Sequence, residues 1–87
     1  MNWQIVYTKQ AQMDAKKLTA TGLQLNGIQL IEIIKENPRQ NPPPVEKLVG
    51  DLSGAYSRRI NIQHRLIYEI VAEARTVKII RLWTHYK

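Results

Sequence analysis

The sequence predicts a small α+β domain with two N-terminal helices packed on one face of a twisted antiparallel sheet, and three observations carry that prediction. The local patterns run in the order β-α-α-β-β-β. Three consecutive prolines, Pro42 to Pro44, cannot lie in a sheet interior, so they separate the helices from the strands. At 87 residues the chain is expected to be one domain over 1–87. A chain of that length buries only about 60% of its unfolded surface, so a partner that helps hold it is expected.

Each element has a local cause. In Asn2 to Tyr7, Trp3, Ile5 and Tyr7 alternate with Gln4 and Val6, which predicts a first strand. Thr8 can cap a helix from Lys9 to about Thr19, where Ala11, Ala15 and Leu18 form a weak apolar stripe. The stretch Thr19 to Gly22 breaks it. A second helix, about Leu23 to Asn37, sets Leu23, Ile28, Leu30, Ile31 and Ile34 against Glu32, Lys35 and Glu36, and stops because Pro38 disfavours helical geometry in the residue before it. Arg39 to Pro44 is a stiff connector that delivers Glu46 to a defined place. A turn-rich loop spans Gly50 to Gly54. The predicted strands are then Tyr56 to Ile62, Arg65 to Val71 and Val77 to Tyr86, joined at Gln63-His64 and at Glu73 to Arg75.

Composition narrows the class. There is no cysteine, hence no disulfide or thiolate metal site, and two histidines are too few for zinc without carboxylate help. No metal or other cofactor is expected. No segment reaches the roughly 20 apolar residues of a membrane span, and the N-terminus does not read as a signal peptide. A reducing cytoplasm is the expected compartment. The net charge of +6 is concentrated after residue 57, where Arg58, Arg59, Arg65, Arg75, Lys78, Arg81 and Lys87 face only Glu69 and Glu73. Such a domain is expected to meet a polyanion or an acidic protein, or else to carry a solvated basic face. Arginine's planar fork tilts the choice toward phosphate.

Cleaving RNA by internal transesterification needs a base for the ribose 2′-OH, a cation for the phosphate and an acid for the departing 5′-oxygen. Glu46, Arg65 and His85 supply one of each. Strand periodicity places Arg65 with Ile67, Glu69 and Val71, and Arg81 with Trp83 and His85, so the two sets could converge on one concave surface. Every residue also has a plainer reading. Glu46 beside Lys47 could be a surface ion pair, Arg65 a structural ion pair, and His85 a frayed terminal residue. A histidine's unperturbed pKa of about 6.5 nonetheless suits an acid. Tyr86 could touch phosphate, stack on a base or anchor the C-terminus. His64 falls in the predicted turn, where a structural hydrogen bond is the expected role, and Tyr56 and Trp83 fit core or rim positions better than base-stacking ones.

The run Gly50 to Ile70, containing Leu52-Ser53-Gly54-Ala55-Tyr56-Ser57-Arg58-Arg59-Ile60 and then His64 to Tyr68, followed by Thr84-His85-Tyr86, resembles the Txe/YoeB family of type II toxin–antitoxin toxins in the RelE/ParE superfamily. The match is dense over residues 46–71 and at 85–86 and thin over the helices. The resemblance implies a RelE-like two-helix domain and a ribosome-dependent mRNA endoribonuclease that needs no metal, arrests translation and is silenced by an antitoxin of the YefM/Phd type. It implies Glu46 as general base, Arg65 as phosphate-stabilising cation, His85 as general acid and Tyr86 as a substrate-positioning aromatic. Arg58 and Arg59 match the family's paired arginines as RNA contacts. A homodimer is also implied.

The sequence departs from the family in places. The family's Lys-Pro-Glu-Pro-Leu run around the base is Pro-Val-Glu-Lys-Leu here, Tyr56 stands where many members have tryptophan, and Lys87 follows the terminal His-Tyr, adding a cation for RNA. The competing class is a non-catalytic basic module of the same superfamily, ParE-like, that binds a protein target. A plain nucleic-acid binder would carry its charge on the helices, where Lys9, Lys16, Lys17 and Lys35 are offset by Asp14, Glu32 and Glu36. A metal-dependent nuclease wants clustered carboxylates, and only Glu46 and Asp51 are near.

Overall fold

Residues 2–50 and 54–82 are described by a computed structural model. The elements are β1 (Gln4–Tyr7), α1 (Lys9–Ala20), α2 (Gln24–Glu36), β2 (Glu46–Lys47), β3 (Ala55–Arg59), β4 (Arg65–Val71) and β5 (Thr76–Arg81), with a 3-10 turn at Ala72–Ala74. They build a five-stranded sheet in the order β1-β5-β4-β3-β2. Neighbours pair antiparallel except at one edge, where β1 runs parallel to β5. The sheet is therefore mixed rather than wholly antiparallel. Alternation identifies a strand but not its direction, and a parallel neighbour needs only a long crossover, which the intervening helices and hairpins provide.

Thr8 starts α1 as expected: its Oγ1 accepts from the Ala11 amide at 3.0 Å, while its hydroxyl donates to the Ile80 carbonyl at 2.9 Å and ties the cap to β5. Gly22, at φ +79°, lets the chain leave α1 in the left-handed region. The buried stripe of α2 is Gly27, Leu30 and Ile34. Ile28, expected inside, is 47% exposed, because Gly27 takes the position against α1. A Cβ on Gly27 would lie 3.3 Å from Leu18 Cδ1, so the missing side chain allows the close approach. Ala11, Leu18, Leu30 and Ile34 pack on Leu66, Tyr68, Val77 and Ile79 from one sheet face. Among the described residues the opposite face carries a smaller cluster of Leu48, Ala55 and Ile67.

The hairpin differs from expectation in one respect. The third strand ends at Arg59 instead of Ile62, since Asn61 Oδ1 accepts from the amides of Gln63 and His64 at 2.9 and 2.7 Å and folds residues 60–64 into a turn. A short side-chain amide here outcompetes the ladder. Ile62 is left 87% exposed.

Asp14 joins α1 to the end of β5. It is fully buried, and its Oδ2 accepts from Arg81 Nε at 2.7 Å and from the Leu82 amide at 3.1 Å. Burial pushes the Asp14 carboxyl up, but the hydrogen bonds from Arg81, the Leu82 amide and Gln10 outweigh it and hold it below its ordinary value. A depressed carboxylate stabilises the fold above its unfolded pKa of about 3.9, and that contribution is lost as pH falls through the folded value. Asp14→Ala is expected to cost about 1–3 kcal/mol in denaturant unfolding at pH 7, chiefly by orphaning the Leu82 amide. The difference between wild type and Asp14→Asn should begin to narrow as pH falls below the unfolded carboxylate value of about 3.9, where the unfolded chain takes up the proton, and should be gone once the pH is below the lowered folded value.

Candidate active site

Strand alternation sorts β3 into two sets of side chains. Tyr56 and Arg58 point to the helix and connector side, where Tyr56 stacks on Tyr68 with ring centroids 5.7 Å apart. Ser57 and Arg59 take the opposite, open face. There the register sets Arg59 directly across from Arg65 of β4, and Glu46 of β2 across from Ser57. The result is an open cleft of about 250 Å³ lined by Pro43, Pro44, Glu46, Ser57, Arg59 and Arg65.

Arg65 Nη1 lies 3.3 Å from Glu46 Oε1 and 3.3 Å from Ser57 Oγ. The arginine side chain is 19% exposed and the glutamate 62%. Charge-assisted bonds of this type usually close to about 2.7–2.9 Å. A longer, solvated pair contributes no more than about 1 kcal/mol, so a ligand can displace it at little cost. Two arginines facing each other across a ladder repel. Among the described residues that line the cleft only Glu46 answers them, which leaves a concavity that favours an anion. Buried Ser57 fixes the direction of the Arg65 fork from below. Nothing in the sequence singles out this serine as a site residue except its two-residue spacing from Arg59, which puts it on that face.

Three of the expected residues thus meet: Glu46, Arg65 and Arg59. Arg58 does not join them. It is fully buried on the other side of the sheet, and its guanidinium donates to the carbonyls of Pro38 (3.2 Å), Gln40 (2.7 Å) and Pro43 (2.8 Å) and to the Tyr68 hydroxyl (3.0 Å). With four acceptors already engaged and no exposed surface, it has nothing to offer RNA. Adjacent residues of a strand face opposite ways, so a paired-arginine motif cannot present both side chains to one ligand. Tyr68 in turn donates to the Pro38 carbonyl at 2.6 Å, and burial pushes its hydroxyl pKa up, offset only in part by Arg58.

Arg81 also departs from expectation. Its pairing with Asp14 places it on the helix side, away from Arg65. The expected convergence of the two faces therefore does not include it. His64 is buried in the hairpin turn. Trp83, His85, Tyr86 and Lys87, together with Asp51, lie outside the described residues.

Residues 5–86 match the family described as the YoeB-like toxin of bacterial type II toxin-antitoxin system. A curated relative, Toxin YoeB of Synechocystis sp., is 41% identical over 58 residues, which is 67% of this chain and 65% of that protein, so the match spans just under two thirds of the relative's length. Among solved structures, a YoeB/ParE toxin from Agrobacterium tumefaciens superposes with a TM-score of 0.87 at 27% identity, over 95% of this chain and 99% of that one. The Staphylococcus aureus YoeB chain in a heterotetrameric YoeB-YefM complex gives a TM-score of 0.80 at 30% identity, over 99% and 100% of the two chains. The same toxin solved as a dimer gives a TM-score of 0.82 at the same identity and coverage. An open basic cleft beside a proline connector, on a two-helix mixed-sheet domain matched along nearly its whole length, means that this chain belongs to the YoeB-like toxins of bacterial type II toxin–antitoxin systems.

Proposed function

We propose that this toxin is a ribosome-dependent endoribonuclease that cuts mRNA by 2′-OH transesterification and so stops translation. The observation that carries the reading is a solvent-open carboxylate, Glu46, held 3.3 Å from the Arg65 guanidinium in a cleft that a second arginine makes net positive. In this scheme Glu46 removes the 2′-OH proton and the 2′-oxygen attacks phosphorus. The bond from phosphorus to the 5′-oxygen breaks, leaving a 2′,3′-cyclic phosphate. Arg65 stabilises charge on the non-bridging oxygens, and Arg59 holds a neighbouring phosphate. His85 protonates the leaving 5′-oxygen, while Tyr86 and Lys87 position the RNA. The reaction needs no metal, since proton transfer and charge stabilisation are both covered by side chains.

The antitoxin partner is proposed to be of the YefM type, and self-association to form a dimer, by analogy with the Staphylococcus aureus assemblies. Among the described residues no helix is long and apolar enough to cross a membrane. That is in keeping with action at ribosomes.

The reading is tested by mapping mRNA 5′ ends on translating ribosomes. Wild type should cut within the decoding-site codon, and cutting should fall sharply when ribosomes are omitted. Glu46→Gln is expected to lower kcat by about 100- to 10,000-fold, the usual worth of a positioned base. Arg65→Ala should cost about 100- to 1,000-fold, mostly in kcat. Arg59→Ala should act mainly on KM and reduce the salt slope of binding by about one charge. Full activity from folded Arg65→Ala would sink the mechanism. No cutting by folded, antitoxin-free wild type would instead favour a basic module aimed at a protein target.

A further inference from the structure

Behind the cleft, on the other side of the sheet, Arg58 makes contacts that RNA binding does not explain. Its charge is buried, yet no carboxylate among the described residues pairs with it. Its partners are three backbone carbonyls of the 38–43 segment and one tyrosine hydroxyl. That segment has a particular need for such a donor. Pro42, Pro43 and Pro44 have no amide hydrogen, so they cannot be tied down through their nitrogens. The backbone of these three prolines can be hydrogen-bonded only through its carbonyls, and a guanidinium brings five donors in a rigid fork.

The consequence reaches the cleft by two short routes. Pro43, held at 2.8 Å by Arg58 Nη1, lines the cleft and precedes Glu46 by three residues. Ser57, next to Arg58 in β3, is the register partner of Glu46 and a hydrogen-bond partner of Arg65. We propose that Arg58, braced by Tyr68, is a positioning residue that sets where the connector places the Glu46 carboxylate relative to Arg65. Its effect on cleavage rests on the ribonuclease reading above; its effect on the geometry does not.

The test uses Arg58→Lys, which keeps the charge but cannot span three carbonyls, and Tyr68→Phe, which removes only the hydroxyl between Arg58 Nε and the Pro38 carbonyl. Both are assayed well below their melting temperatures. Arg58→Lys is expected to lower kcat about 10- to 100-fold, the cost of a misplacement of about 1 Å, with KM for programmed ribosomes nearly unchanged. Tyr68→Phe should fall in the same direction by less. In a Glu46→Gln background Arg58→Lys should cost little further, because a residue acting through Glu46 loses its effect once the carboxylate is gone. A purely structural role would give multiplying losses, and that result would overturn the proposal. An activity-independent arm reads the ¹³C shift of the Glu46 carboxyl at fixed pH, which should move in Arg58→Lys toward its value in Arg65→Ala. An unmoved shift in a folded variant would also overturn it. Should wild type prove inactive on ribosomes, the ribonuclease reading fails and the NMR arm still decides the positioning. Should Arg58→Lys not fold, Tyr68→Phe decides both arms.

Discussion

A guanidinium in a cage of carbonyls organises this molecule. Arg58 sits fully buried with its donors spent on Pro38, Gln40, Pro43 and the Tyr68 hydroxyl, and the connector between helices and hairpin follows the shape of that cage. Removing such a donor leaves several buried acceptors unsatisfied, each at a cost of about 1–3 kcal/mol, so the connector and the strand beneath it are bound to one another. The path from α2 to β2 is thereby fixed, and with it the site at which the chain re-enters the sheet next to Ser57.

Two faces of one sheet consequently do different work. The helix side is closed: Leu66, Tyr68, Val77 and Ile79 pack on both helices, and Asp14 clasps Arg81 and the Leu82 amide at the end of β5. On the open side the described residues bury a smaller apolar cluster, and there the ladder places Arg59, Arg65, Ser57 and Glu46 around one cleft. Because the ion pair between Glu46 and Arg65 is long and solvated, neither charge is committed to the other. A polyanion entering the cleft meets two guanidiniums and one displaceable carboxylate, the arrangement that the proposed cleavage of RNA would use.

Much of the site was legible one residue at a time. Glu46 and Arg65 stood out as a lone carboxylate beyond a proline run and a cation within an apolar strand, and the structure brings them together. Arg58 was misjudged because the Arg-Arg doublet reads as one basic patch, whereas the pleat sends its two members to opposite faces. Ser57 was missed because a small hydroxyl carries no signal until its register partner is known. Arg81 was expected beside Arg65, but the buried carboxylate of Asp14 draws it to the helix side, a pairing between residues 67 positions apart.

Local chemistry in the sequence determined the two helices and the order of four strands, the Thr8 cap, the stop at Asn37-Pro38 and the identity of the charged residues, because each depends on neighbours within a few positions, whereas the short strand β2 at Glu46–Lys47 exists only through its pairing with β3. Only the tertiary structure decided the parallel edge between β1 and β5, the early end of β3 at the Asn61 turn and the fate of each arginine. Strand direction, register and burial depend on partners distant in the chain. No local pattern records whether a guanidinium will find a phosphate, a carboxylate or a ring of carbonyls.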